Sequence, residues 1–317
     1  MNKRLLGKTG IEVSEVAFGG VEIGVPYGIG INSKDDMLSN REAIRLLQTA
    51  VDEGVNFFDT ARMYGESERI MGEAFHGKRH DVVIATKCRH FLDKDGQIPP
   101  LRELRVIINK SLDKSLKALR TDYVDIFMLH QGDIRILNSD DIAGIFENLK
   151  KEGKIRMAGI STYTTEETSL AIDKGWDVVQ LPFNLMDQRQ GTLFKKAYQK
   201  GIGIVVRSVL LKGLLSNRGK NLHPALKDVE NHIAKYGELL NAANCDLPAL
   251  ATRFALSFPE VSAVLVGIDR QEYLEQVLKT ANGGYLNEET LKRAKQLAYP
   301  DPEFVNLPHW DKMNWLR

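Results

Sequence analysis

Four residues that close or follow short apolar runs in the first half of the 317-residue chain have the types needed to move a proton: Asp59, Tyr64, Lys87 and His130. Asp59 closes the run Asn56-Phe57-Phe58, and Tyr64 follows in Arg62-Met63-Tyr64-Gly65. Lys87 closes Val83-Ile84-Ala85-Thr86, and His130 closes Ile126-Phe127-Met128-Leu129. Singly, each has an ordinary reading: an Asp that caps a turn, a solvated Lys, a His or Tyr satisfied in a core. As a set they suit general acid chemistry. A phenol with an unperturbed pKa of about 10 gives up its proton near neutrality only where something stabilises phenolate. A neighbouring ammonium does so, and a carboxylate behind it keeps the lysine charged and aimed. A histidine beside them can hydrogen-bond an incoming oxygen and fix its angle. Such a set suits protonation of a carbonyl oxygen as a hydride arrives at the carbon, or the reverse. It holds neither a nucleophile for acyl transfer nor the carboxylate pair of a glycoside hydrolase.

A scaffold that brings these residues together must set their strands side by side. Short β-branched runs alternate with longer amphipathic stretches, the pattern of repeated strand-helix units around a parallel sheet. Strands are predicted at 15–19, 56–58, 82–85, 124–129, 156–159, 178–181, 203–206 and 262–266. Helices are predicted at 41–53, 68–75, 104–119, 140–150, 165–173, 191–200, 248–258 and 271–279, from apolar residues at three and four spacings. Gly54, Gly153, Gly175 and Gly201 stand just past helix ends, where a left-handed residue is wanted. Eight such units fit a closed α/β (β/α)8 TIM barrel, whose enzymes carry their chemistry at the C-terminal strand ends. The four residues fall there, from strands two, three and four. The expected chain is one barrel domain over residues 1–317. An N-terminal β-hairpin, 3–6 and 11–14 around Gly7-Lys8-Thr9-Gly10, plugs the bottom, and a C-terminal helix and tail start at Leu286.

Composition removes other classes. Lys and Arg number 43 against 42 Asp and Glu, a net charge of +1, so no broad field attracts nucleic acid or an anionic membrane surface, and neither is an expected partner. No apolar run approaches the roughly 20 residues of a membrane span, and no secretory signal opens the chain, so the expected location is cytoplasmic. Cys88 and Cys245 are too few for a disulfide framework. The seven histidines lack paired-ligand spacing, and no metal is expected. Two phosphate-loop lookalikes fail. Gly72-Glu73-Ala74-Phe75-His76-Gly77-Lys78 closes a helix and is followed by Arg79 where a hydroxyl is needed, and Gly28-Ile29-Gly30 lacks a preceding strand.

Phe58-Asp59-Thr60-Ala61, Tyr64-Gly65, Thr86-Lys87 and Leu129-His130, in that order, closely resemble the catalytic pattern of the aldo-keto reductase superfamily. The similarity runs from Leu6-Gly7-Lys8-Thr9-Gly10 to the last barrel unit. It implies an NAD(P)(H)-dependent oxidoreductase that interconverts a carbonyl and an alcohol. Tyr64 would be the general acid/base, Lys87 and Asp59 would lower its pKa, and His130 would orient the carbonyl. It also implies a nicotinamide dinucleotide lying across the barrel mouth without a Rossmann fingerprint. Ser161 and Gln180 match residues that bind the carboxamide, with Thr162 where the family usually has Asn. Gly20 and Val21 match the loop beside the nicotinamide ribose, near Asp59. Ser208, Leu210, Lys212 and Gly213 lie in a segment that looks like the pyrophosphate loop.

Three positions depart from the family pattern. Arg207 stands where an aromatic usually stacks on the nicotinamide, and a guanidinium should be less welcoming to the cationic oxidised ring. Asp269, two residues after Gly267, replaces a base that often holds the 2′-phosphate, with Arg270 next to it. Gln276 begins a Gln-Val pair in place of the Glu-Asn that often meets adenine. Family habit favours NADP(H), and Asp269 argues for NAD(H); NADP(H) is the expected cofactor. Arg89, His90, Gln131, Trp310 and Trp315 are expected to wall a pocket for a small carbonyl or alcohol substrate, and their mix of polar and aromatic groups suits a sugar-like one. The alternative is a nucleotide-sensing regulatory subunit of the same fold with little turnover.

Overall fold

The computed structural model of the chain describes all residues except Lys94, Asn244 and Arg317. β1 (Lys3–Leu5) and β2 (Glu12–Ser14) pair antiparallel, with Arg4 opposite Val13. Then come β3 (Val16–Gly19), β4 (Phe57–Asp59), β5 (Val83–Cys88), β6 (Val124–Leu129), β7 (Ile155–Ser161), β8 (Val178–Pro182), β9 (Gly203–Arg207) and β10 (Ala263–Gly267). These eight pair in parallel, and β10 also pairs with β3, so the sheet closes into a barrel. Each predicted strand is present. β5 and β7 extend further than their periodicity indicated, which brings Lys87 and Ser161 into the ladder opposite Met128 and Gln180.

Successive side chains of a strand point to opposite faces, and two buried clusters show this division. Ala17, Phe57, Val83, Ala85, Ile126, Met128, Met157, Val178, Val205 and Ala263 pack together inside the barrel, joined by Leu6, Ile11 and Val13 of the hairpin. The hairpin therefore does close the bottom. Their strand neighbours, such as Phe18, Phe58, Ile84, Phe127, Ile160, Val179 and Ile204, face outward under the helices.

The helical layer comprises α1 (Asn40–Asp52), α2 (Ser67–Ala74), α3 (Leu101–Leu119), α4 (Ile134–Leu137), α5 (Asp140–Lys151), α6 (Thr165–Lys174), α7 (Phe194–Lys200), α8 (Lys227–Ala234), α9 (Gly237–Ala243), α10 (Leu247–Leu256), α11 (Gln271–Thr280), α12 (Glu288–Gln296) and α13 (Leu307–Lys312). Gly54, Gly153, Gly175 and Gly201 all take positive φ, between 72° and 90°, and end their helices as expected. The helix predicted at 191–200 begins instead as a 3-10 turn, Arg189–Leu193, in which Gly191 packs against the Phe183 ring. α8 and α9 fall after β9, in a stretch for which the periodicity predicts no element. The buried pair Val229 and Ile233, four apart on α8, was the available signal. Among the described residues, no helix is long and apolar enough to cross a membrane.

Candidate active site

Inward parity, carried to the C-terminal ends of the strands, selects the site. Asp59 shares the parity of Phe57, Lys87 that of Ala85, His130 that of Met128, Ser161 that of Met157, Gln180 that of Val178, and Arg207 that of Val205. Thr162 has the opposite parity. Its hydroxyl lies 2.6 Å from that of Thr168 on α6, in a fully buried position, so its side chain does not reach the mouth, contrary to expectation.

Lys87 Nζ donates to Asp59 Oδ2 at 2.5 Å and to the Thr60 carbonyl at 3.0 Å, and both side chains of the pair are 1% exposed. The second carboxylate oxygen, Asp59 Oδ1, accepts from Gln180 Nε2 at 2.8 Å. A buried ion pair is secure only with such extra hydrogen bonds, since desolvation opposes it. Tyr64 reaches the pair on the turn between β4 and α2. That turn packs directly on Gly24, where a Cβ would come within 1.9 Å of the Tyr64 carbonyl. Buried Glu68, in the first turn of α2, accepts from Thr86 Oγ1 at 2.7 Å and pairs with Arg62. It thereby ties the turn bearing Tyr64 to the strand bearing Lys87. The Lys87 ammonium stands 5.0 Å from the centre of the Tyr64 ring. The His130 ring meets Tyr64 edge-on at 5.5 Å, and His90 meets His130 in the same way at 5.2 Å.

Burial governs the protonation states. It depresses the Lys87 ammonium, which Asp59 counteracts. It holds His130 down at about 2, helped by the charges of Lys87 and Arg207 and by the neighbouring His90 ring, so the imidazole is neutral near pH 7. His130 Nδ1 is buried and has no hydrogen-bond partner among the described residues. Tyr64 departs from the sequence argument, which has Lys87 and Asp59 lowering its pKa. Burial and the Asp59 carboxylate push the phenol well above its ordinary range, and Arg207 is the cation that opposes them. Tyr64 is thus a protonated phenol at neutral pH. The Cys88 thiol is pushed up to about 11 by burial, and it remains an inert core group.

A cavity of about 810 Å³ opens over these residues, within the range of small-molecule and cofactor sites. Gly20, Val21, Asp59, Tyr64, His130, Ser161 and Gln180 line it, with Arg207, Ser208, Leu210, Lys212 and Gly213 along β9 and its loop. Gly267, Asp269 and Gln276 line it beside α11. Lys87 lies beneath its floor. Lys212 pairs with Asp311 of α13, stands 4.6 Å from the Tyr27 ring centre, and offers its carbonyl to the Ile29 amide at 2.9 Å. Asp269 sits between two guanidiniums, with Arg218 Nη2 at 3.8 Å and Arg270 Nε at 3.5 Å, both beside the Tyr273 ring. Arg270 is itself exposed at the rim. Glu22 packs so closely on Gly267 that a Cβ there would fall 1.9 Å from Oε1. Its Oε2 is buried with no hydrogen-bond partner among the described residues, and burial with Asp269 raises its pKa to about 8.

Among residues expected to hold substrate, His90 reaches the site through His130, while Arg89 is exposed and Gln131 half-buried. Trp310 is a correction. It is fully buried against Phe304 in the core, and its helix presents Leu307, Pro308 and Asp311 to the cavity in its place. Trp315 packs on Phe304, His223 and His309 outside the cavity. Glu22, Tyr27, Tyr163, Arg218 and Tyr273 also line the cavity, and sequence reasoning missed them. They lie on loops and on α11, beyond the reach of strand parity.

A model of the Aldo/keto reductase family matches residues 23–298. An uncharacterized oxidoreductase of Bacillus subtilis (strain 168), YqkF, is 30% identical over 306 residues, 92% of this chain and 95% of that protein. L-galactose dehydrogenase of Arabidopsis thaliana is 31% identical over 317 residues, 94% of each chain. The solved structure of aldo-keto reductase AKR11C1 from Bacillus halodurans, in its holo form, superposes with a TM-score of 0.79 at 26% identity, covering 94% of this chain and 96% of that one. A family match over that span, on a closed eight-stranded barrel with its ionisable groups gathered at the mouth, places the chain in the aldo/keto reductase family.

Proposed function

We propose that this chain, acting as one barrel domain, reduces an aldehyde or ketone to an alcohol with a nicotinamide dinucleotide, Tyr64 serving as proton donor. The observation that carries this is the protonated Tyr64 phenol, packed between neutral His130 and a buried Lys87–Asp59 pair, at the edge of a cavity large enough for a dinucleotide. When bound, the reduced cofactor supplies hydride to the carbonyl carbon. His130, neutral, donates an N–H to the carbonyl oxygen and sets its direction. Tyr64 gives its proton to the same oxygen as negative charge grows there. Lys87 stabilises the phenolate left behind, and Asp59 with Gln180 holds Lys87 in place. In alcohol oxidation the same groups take the proton back.

The residues along the cavity fit the cofactor. Ser161 and Gln180 offer polar groups at the nicotinamide end, Ser208 and Lys212 suit a pyrophosphate, and Arg218 with Arg270 outnumbers the single charge of Asp269. That surplus favours NADP(H) over NAD(H), because a 2′-phosphate meets two guanidiniums and not a bare carboxylate. For the substrate, the resemblance to L-galactose dehydrogenase and the polar, aromatic lining of Tyr27, Tyr163 and His130, which His90 backs, favour a sugar or sugar-derived carbonyl. The deciding assay follows NADPH and NADH consumption over a panel of aldoses and aryl aldehydes. Turnover of aldoses with NADPH preferred is expected. Activity confined to hydrophobic aldehydes contradicts the sugar assignment, and tight NADPH binding with no turnover on any carbonyl points to a regulatory subunit.

A further inference from the structure

Of the four cations that line the cavity, Arg207, Lys212, Arg218 and the exposed Lys220, two have a carboxylate beside them. Lys212 pairs with Asp311, Arg218 approaches Asp269, and Lys87 beneath the floor pairs with Asp59. Arg207 is different. Its guanidinium donates to the Thr162 carbonyl at 2.9 Å and to Ser208 Oγ at 3.2 Å, and lies 4.4 Å from the centre of the Tyr163 ring. All three partners are uncharged, and among the described residues no carboxylate forms an ion pair with it. It is half-buried on the cavity wall, and its field is felt at Tyr27, Tyr64, Lys87 and His130. An arginine keeps this charge at every working pH.

We propose that Arg207 makes this cavity select the reduced, uncharged form of the nicotinamide over the oxidised, cationic form, and so sets the protein up for carbonyl reduction. The inference rests on the function proposed above. A ring that delivers hydride to a carbon whose oxygen touches Tyr64 and His130 must lie in the part of the cavity walled by Ser161, Gln180 and Arg207. Hydride transfer moves two electrons and one proton from the ring to the carbonyl carbon and leaves the ring with one positive charge. Beside an uncompensated guanidinium, that charge is repelled at a distance where screening by water and salt is weak. The overall equilibrium of the reaction is untouched. What shifts is the balance between the bound forms, with the oxidised cofactor held less tightly and released sooner.

Titration of the wild-type protein with NADPH and with NADP⁺, by fluorescence or calorimetry, reads the effect directly. The expected Kd for NADP⁺ is at least about tenfold above that for NADPH, the size of effect one nearby charge produces. Arg207→Gln should shrink this ratio by about fivefold or more, and Arg207→Lys, which keeps the charge, should preserve most of it. Equal affinity for the two forms in the wild type overturns the proposal before any variant is made. Equal weakening of both forms in Arg207→Gln also overturns it and assigns Arg207 to the phosphates. Binding of neither form overturns the dinucleotide function itself, and this proposal with it.

Discussion

The imidazole of His130 stays neutral because a proton on it would be a buried cation facing Lys87, His90 and Arg207. Its ordinary pKa of 6.5 is therefore displaced to about 2. The ¹⁵N shifts of the His130 ring are expected to remain those of a neutral imidazole from pH 8 down to pH 5; titration near 6.5 would remove it as a fixed donor. The catalytic candidates were legible as residues because their chemistry is unusual at strand ends. Their electrostatics were less so. Residue types alone put a lysine next to a tyrosine and suggested a lowered phenol pKa, but the direction depends on burial and on Asp59, neither of which a sequence displays. Thr162 was misplaced for a simpler reason: one step along a strand turns a side chain from the barrel mouth to the helix layer. The alternation in Met157-Ala158-Gly159-Ile160-Ser161 already contained that information.

Between elements, the key joint is α2 against β5. Glu68 holds Arg62 with one oxygen and Thr86 with the other, so the turn that carries Tyr64 cannot drift from the strand that carries Lys87. Removing the charge while keeping the shape should loosen this joint without altering the cavity. Glu68→Gln is expected to lower kcat by about tenfold and to leave KM for NADPH within about twofold, a split typical of lost positioning. A rise in KM with kcat unchanged would mean that Glu68 serves binding instead. The eight strand-helix units were readable because each repeats the same two periods. After β9 only the segment around Lys212 was readable, through its resemblance to a pyrophosphate loop, and Arg218 with the helices beyond it was not. Those helices, α8 and α9, are short, and their apolar residues satisfy neither period for long.

At the scale of the whole molecule, the cavity at the barrel mouth carries a cost in stability that depends on pH. The native state keeps a proton on Glu22 up to about pH 8, whereas the unfolded chain releases it above the ordinary glutamate value of 4.5. Stability from this group therefore falls as pH rises between those values, by up to about 1.4 kcal/mol per unit. His130 acts in the opposite sense: the unfolded chain takes up a proton below 6.5 that the native state refuses until about 2, so acidification through that range destabilises. The two contributions oppose one another from 4.5 to 6.5. Above that only the Glu22 loss continues. Urea midpoints should therefore drop from pH 6.5 to 8 in the wild type, and much less in Glu22→Gln. An equal drop in the variant would place the proton elsewhere. Net charge, at +1, foretold none of this, because the charges that matter are gathered in one cavity and nearly cancel in the sum.

Tyr64 is the group whose loss separates chemistry from binding. In Tyr64→Phe the ring keeps its packing against His130 and the Lys87 ammonium while the proton disappears. Turnover of a carbonyl substrate with NADPH, measured beside NADPH affinity in the same preparation, is expected to fall by at least about 10³-fold while Kd stays within about twofold. Turnover near that of the wild type in Tyr64→Phe would contradict its role as proton donor.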